Sequence, residues 1–135
     1  MAFWLVKSDP EEYAFADLVR ERRARWDGIG NALALRHLGA MRRGDGVLVY
    51  ESGRVRAVVG LARVARGPYP DPQRDDPRRL AVDLAAGAPL PAPVTLAAIR
   101  EDPLFRDFEL VRISRLSVMP VPDGLWRRLL EMGGG

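Results

Sequence analysis

Two aliphatic, β-branched runs, residues 47–50 (Val-Leu-Val-Tyr) and 55–64, flank the polar tetrapeptide Glu51-Ser52-Gly53-Arg54. Branching at Cβ favours an extended backbone, and a short polar stretch containing glycine reverses it. The segment therefore commits the chain to an antiparallel hairpin. Gly60 interrupts the second run and is expected at a bulge or a point of close approach. The rest of the chain offers partners for the hairpin. Residues 3–6 (Phe-Trp-Leu-Val), 80–85, 108–114 and 116–121 read as further strands, with 87–93 extended and proline-rich. Between them lie helix signals. Ser8-Asp9-Pro10-Glu11-Glu12 has the composition of a helix start, with short helical turns expected over 13–22. Asn31 can cap a helix running to Met41, with Leu35, Leu38 and Met41 on one face and Gly44 as its left-handed end. Thr95 and Asp123 cap two more, the last bearing Trp126, Leu129 and Leu130. Residues 68–79 read as a long loop, and 133–135 as a loose end. No repeat and no boundary interrupts residues 1–135. The expected class is α+β: one domain, a small barrel of mostly antiparallel strands decorated by short helices.

Hydrophobic residues make up 47% of the 135, enough for a packed core without staples. There is no cysteine, which excludes disulfides, thiolate catalysis and cysteine-ligated zinc. His37 is the only histidine, so a histidine-based metal site or a Ser-His-Asp triad would rest on it alone; in a helical stretch without partner histidines it reads as a structural or solvated residue. No metal and no cofactor is expected. No run approaches the roughly 18 apolar residues of a membrane span, and nothing resembles a signal peptide. The expectation is a cytoplasmic protein with no membrane contact, its oligomeric state open. Net charge is +3 with a pI near 9.9, and Lys7 is the only lysine. An arginine-dominated cation set permits phosphate and base contacts. A GC-rich or thermophilic source would produce the same bias.

The chemistry concentrates around Trp26-Asp27-Gly28-Ile29-Gly30-Asn31. Trp presents a large flat apolar face, the glycines let a flat ligand approach the backbone, and Asn31 offers both donor and acceptor. A stacking face beside a polar edge suits a nucleobase. Trp26 as a buried anchor beneath the turn, and Asn31 as a helix cap, are the competing readings.

Six segments in order also resemble EVE domains. Trp4-Leu5-Val6-Lys7-Ser8-Asp9-Pro10 is similar to W-L-x-K-S-E-P, and Trp26 to Asn31 to W-D-G-V-R-N. Met41-Arg42-Arg43-Gly44-Asp45 is similar to M-K-x-G-D, and Tyr50-Glu51-Ser52 to Y-H-S. Val59-Gly60-Leu61-Ala62 is similar to V-G-I-A, and Arg115-Leu116-Ser117-Val118-Met119-Pro120-Val121 to R-L-S-V-x-P-V. The resemblance implies a PUA-like β-barrel related to YTH and ASCH domains. It further implies a binding module that takes a modified or flipped base of RNA or DNA into a pocket without altering it.

Carried over by position, Trp26 forms the stacking wall. Ser8, Asn31, Tyr50, Ser52, Leu116 and Ser117 contact the base, and Arg36, Arg42, Arg43 and Arg115 contact phosphate. Each has a plainer alternative: a cap for Ser8 and Asn31, core packing for Tyr50 and Leu116, a solvated surface for the arginines. Departures from the family pattern are Gly30 for Arg, Glu51 for His, and no Trp before Val82-Asp83, which removes a second aromatic wall. Two other classes are weighed against the reader. One is an RNA-processing enzyme of the PUA-like superfamily using Asp9, Glu11, Glu12 or Glu51; the other is a protein-interaction scaffold using residues 20–25 and the proline-rich loop.

Overall fold

A computed structural model describes residues 1–134. Its strands are β1 (Phe3–Ser8), β2 (Arg23–Trp26), β3 (Gly46–Glu51), β4 (Ala57–Pro70), β5 (Leu80–Thr95) and β6 (Val118–Pro120). They form one sheet in the order β2-β5-β4-β3-β1-β6. Every neighbouring pair is antiparallel except β1 and β3, which run parallel from Phe3 opposite Gly46 to Ser8 opposite Glu51. The helices are α1 (Phe15–Glu21), α2 (Ala32–Ala40), α3 (Leu96–Glu101), α4 (Glu109–Arg112) and α5 (Asp123–Met132), with a 3-10 turn at Pro103–Phe105.

The central strands are apolar on both faces because both faces are covered. Leu5, Val6, Val47, Leu48 and Val49 have no accessible surface, and Leu18 of α1, Leu38 of α2, Ile99 of α3 and Leu129 of α5 pack into the same core. Each such side chain contributes about 1.5–3 kcal/mol by leaving water. Two carboxylates are buried, Asp45 and Asp71, and the first ties the chain together here. Asp45 accepts from Trp4 Nε1 at 2.9 Å, Arg42 N at 2.8 Å and Ala2 N at 3.1 Å, which joins the start of β1 to the approach to β3.

The hairpin of β3 and β4 forms as its residues require, with the register shifting on both sides of Gly60. A Cβ at Gly60 would stand 2.2 Å from Phe15 Cζ, so the glycine is where α1 lies directly on the strand. Asn31 and Thr95 cap α2 and α3, accepting from Ala34 N at 3.0 Å and Ala98 N at 3.1 Å.

Several sequence expectations give way. Residues 10–12 form turns rather than a helix, and α1 begins only at Phe15. Its first free N–H, at Phe15, is satisfied from outside by Glu51 Oε2 at 2.8 Å, while Asp17 Oδ2 takes Ala14 N at 2.8 Å. Residues 80–85 and 87–93 are one strand: β2 pairs only with Val82–Ala85, so the proline-bearing half of β5 is an edge, with Pro89 opposite Gly60 at a register shift. Residues 23–26 form an edge strand that charge obscured. Residues 109–112 are helical, not extended, so that Leu110 reaches the core beside Phe108. Only 118–120 of the run from 116 pair in the sheet. Helix α2 stops at Ala40, four residues before Gly44, and Asp123 opens α5 from inside the helix rather than capping it. The expected loose end is partly tied: Gly133 is buried and its carbonyl accepts from Ala92 N at 3.1 Å, while Gly135 lies outside the described residues.

Candidate functional site

Strand β2 is one edge of the sheet and β6 the other, yet residues from both margins line one cavity. Trp26 and Arg25 come from β2, Lys7 and Ser8 from the end of β1, and Ser117 from the segment entering β6. The sheet must therefore curl until its two margins face each other, and the cavity occupies the gap that the strands leave open. The register shifts along β4 and β5 supply the bending. The volume is about 460 Å³, within the roughly 300–1,000 Å³ of small-ligand sites.

Trp26 is half-buried. Its strand position opposite Val82 fixes the backbone, and Tyr13 meets its ring edge-on, centroids 6.1 Å apart and planes at 78°. Gly28 beyond it adopts φ +73°, a conformation glycine takes without strain, and its N–H donates to buried Asp71 Oδ2 at 3.1 Å. The 71–79 segment thus braces the Trp26 turn. Arg79 adds a bond to the Ile29 carbonyl at 3.4 Å, and a Cβ at Gly30 would meet its guanidinium at 2.9 Å. The departure from Arg at Gly30 thus leaves a slot that another arginine fills.

Polar groups surround the ring. The Ser8 hydroxyl donates to the Tyr13 carbonyl, holding the 9–13 turn against the strand end. Burial lowers the pKa of Lys7, whose ammonium donates to the Ser114 carbonyl at 2.7 Å. The Tyr13 phenol is pushed up, first by burial and then by its 2.6 Å bond to Glu21, and stays protonated at any biological pH. Arg25 pairs with Asp27 at 2.9 Å, which holds its guanidinium charged. Asp9, Glu12 and Asp27 bring carboxylate acceptors to the lining.

Of the residues singled out from sequence, the structure brings Ser8, Trp26 and Ser117 together. Asn31 spends its side-chain oxygen on the α2 cap. Leu116 is 1% exposed, a core residue that lines no cavity described for the site. Tyr50 and Ser52 line a separate, smaller cavity. Arg36, Arg42, Arg43 and Arg115 are exposed and none lines the Trp26 cavity; Arg42 turns back onto the Met41 carbonyl at 3.0 Å. Glu51, proposed as an alternative acid, is the helix cap described above. Sequence reasoning passed over Lys7, Arg25 and Tyr13. Lys7 lies inside a motif it used and Arg25 directly precedes another, whereas only the folded turn brings Tyr13 to Trp26. Among the described residues no group of three or more His, Asp or Glu side chains is placed to hold a metal, and no helix is long and apolar enough to cross a membrane.

A curled, mostly antiparallel sheet with helices packed around it and a cleft at its open margin defines a PUA-like fold. Within that class the chain belongs to the EVE domain family, whose model matches residues 2–132. A Rhodopseudomonas palustris protein solved by NMR superposes with a TM-score of 0.94 at 40% identity, covering 99% of this chain and 94% of that one. Human THYN1 protein, crystallised in complex with 5-methylcytosine-containing DNA, superposes with a TM-score of 0.91 at 22% identity over 100% of this chain and 99% of that one. Mouse thymocyte nuclear protein 1 is 32% identical over an alignment of 81 positions that covers 51% of this chain and 36% of that protein. The match thus spans little more than a third of the length of that relative.

Proposed function

We propose that this EVE domain is a non-catalytic nucleic-acid-binding module that takes one modified or flipped base of DNA or RNA into the Trp26 cavity. The observation that carries the reading is Trp26 itself. A half-buried indole forms one wall of an open cavity whose remaining lining is rich in hydrogen-bonding groups. Folding normally hides such a ring, and base stacking on an aromatic is worth about 1–3 kcal/mol. Tyr13 packs against the indole with its ring near-perpendicular, and both side chains line the cavity. The carboxylates of Asp9, Glu12 and Asp27 match the exocyclic amino donor of cytosine or adenine. The methylated-cytosine DNA bound by the human structural relative agrees with this chemistry. Exposed Arg36, Arg42, Arg43 and Arg115 are assigned to the nucleic-acid backbone, and the protein is assigned to the cytoplasm.

Titration with an oligonucleotide carrying one 5-methylcytosine, and with its unmodified twin, tests the proposal. The modified strand binds more tightly. Trp26→Ala weakens it about 5- to 150-fold, the equivalent of one lost stacking contact. The melting temperature of the variant stays close to that of the parent. A variant that unfolds, or binds as before, overturns the reading.

A further inference from the structure

The second cavity, about 220 Å³, shares its wall with the first. Lys7 lines both. Ser8 lines the Trp26 cavity and Ser52 the other, and the two are tied by Ser52 N to the Ser8 carbonyl at 2.9 Å. Ser117 lines the first and Ser114 the second, and this segment is pinned to Lys7 twice: Lys7 N donates to the Ser117 carbonyl at 2.9 Å and Lys7 Nζ to the Ser114 carbonyl at 2.7 Å. Lys7 and the Ser114–Ser117 segment bonded to it thus stand between the two cavities.

Their electrostatics differ. The Trp26 cavity carries three carboxylates, Asp9, Glu12 and Asp27, against Lys7 and Arg25. The second carries Lys7, Arg56 and Arg100, with the hydroxyl-bearing side chains of Tyr50, Ser52 and Ser114, and no carboxylate. Among the described residues none of these three cations is in a salt bridge. Arg56 adopts φ +47°, a left-handed conformation costly for a side chain with a Cβ, and its carbonyl is held by Leu96 N at 2.8 Å. Arg100 extends from α3, which begins at that contact. Three cations outside any salt bridge, set among hydroxyl-bearing side chains with no carboxylate in the lining, make a receptor for a phosphate group.

We infer that the Lys7–Arg56–Arg100 cavity binds a phosphate of the nucleotide whose base occupies the Trp26 cavity, so that the two cavities grip one nucleotide by opposite ends. The inference rests on the base-reading proposal for its ligand, but the phosphate site is measurable alone.

The first arm is a titration with inorganic phosphate followed by amide NMR. Ser52, Gly53, Arg56 and Arg100 shift on addition of phosphate. The shifts disappear in Arg56→Asn/Arg100→Gln, in which Asn tolerates the left-handed position and circular dichroism confirms the fold. No shift in the parent overturns the site. The second arm uses the 5-methylcytosine oligonucleotide with a neutral methylphosphonate at either phosphate flanking that base. One substitution weakens binding to the parent and makes little difference to the double variant, whose salt slope is lower by about 1. An equal methylphosphonate penalty in both proteins overturns the shared-nucleotide arrangement. Phosphate shifts without oligonucleotide binding retain the anion site and remove the base reader; oligonucleotide binding that is lost with Trp26→Ala, without phosphate shifts, does the reverse.

Discussion

Asp45 shows how one side chain can be decisive without touching the site. It lies 4% exposed between the first strand and the turn before β3. Burial acts to raise its pKa, but bonds from Trp4 Nε1 and from the N–H groups of Arg42 and Ala2 outweigh burial and lower it. The charged form is therefore favoured in the fold. That stabilisation is complete above the unfolded carboxyl value of about 3.9 and disappears as pH falls through the lower folded value. Asp45→Ala strands the buried indole N–H and should lose roughly 2–4 kcal/mol in urea unfolding at pH 7. The gap between variant and parent should narrow below about pH 4; a constant gap would mean the carboxylate does not contribute as a charge. The Met41-Arg42-Arg43-Gly44-Asp45 motif marked this position in the sequence, yet its reason is a long-range contact to Trp4 that no local pattern announces. The site residues divide in the same way. Trp26, Ser8 and Ser117 stand in contiguous motifs and meet in space, whereas Tyr13 becomes a neighbour of Trp26 only once the 9–13 turn closes.

Elements were readable where local chemistry sufficed and misread where tertiary contact decided. The hairpin of β3 and β4 and the caps of α2 and α3 follow from residues within a few positions of one another. Strand β2 did not, because Arg23 and Arg25 alternate with Ala24 and Trp26 over only four residues, too short a period to separate from a charged helix face. Residues 108–112 failed for the opposite reason. Their apolar character suits a strand, but burial of Phe108 and Leu110 against the core is achieved by a single helical turn. The packing of α1 on β4 gives a test of element contact. Gly60→Ala sets a methyl 2.2 Å from the Phe15 ring, so the helix must shift. A loss of about 1–3 kcal/mol by chemical denaturation is expected. Gly60→Ala/Phe15→Leu should recover part of it, and a neutral Gly60→Ala would show that the helix is not seated on the strand.

At the scale of the whole molecule, charge and curvature act together. A net charge of +3, with cations that are almost all arginine, favours polyanions at long range, and under the proposed function selection falls to the cleft. Binding of the 5-methylcytosine oligonucleotide should weaken with a linear dependence on log salt, and replacing Arg36 and Arg43 by Gln should flatten that line by about 2 units of slope if each holds one phosphate. Salt-independent affinity would argue for a free small molecule instead. The curl of the sheet was foreseeable as a class from the succession of strands, but not its line of opening, which depends on shifts of pairing spread along two long strands. That opening has a mechanical corollary. Trp26 rides on a strand hydrogen-bonded into the sheet along one border, and among the described residues no strand pairing joins its other border to β6. Whatever widens the cleft has to part that border rather than a hydrogen-bonded one, and the Gly28–Asp71 tether opposes it.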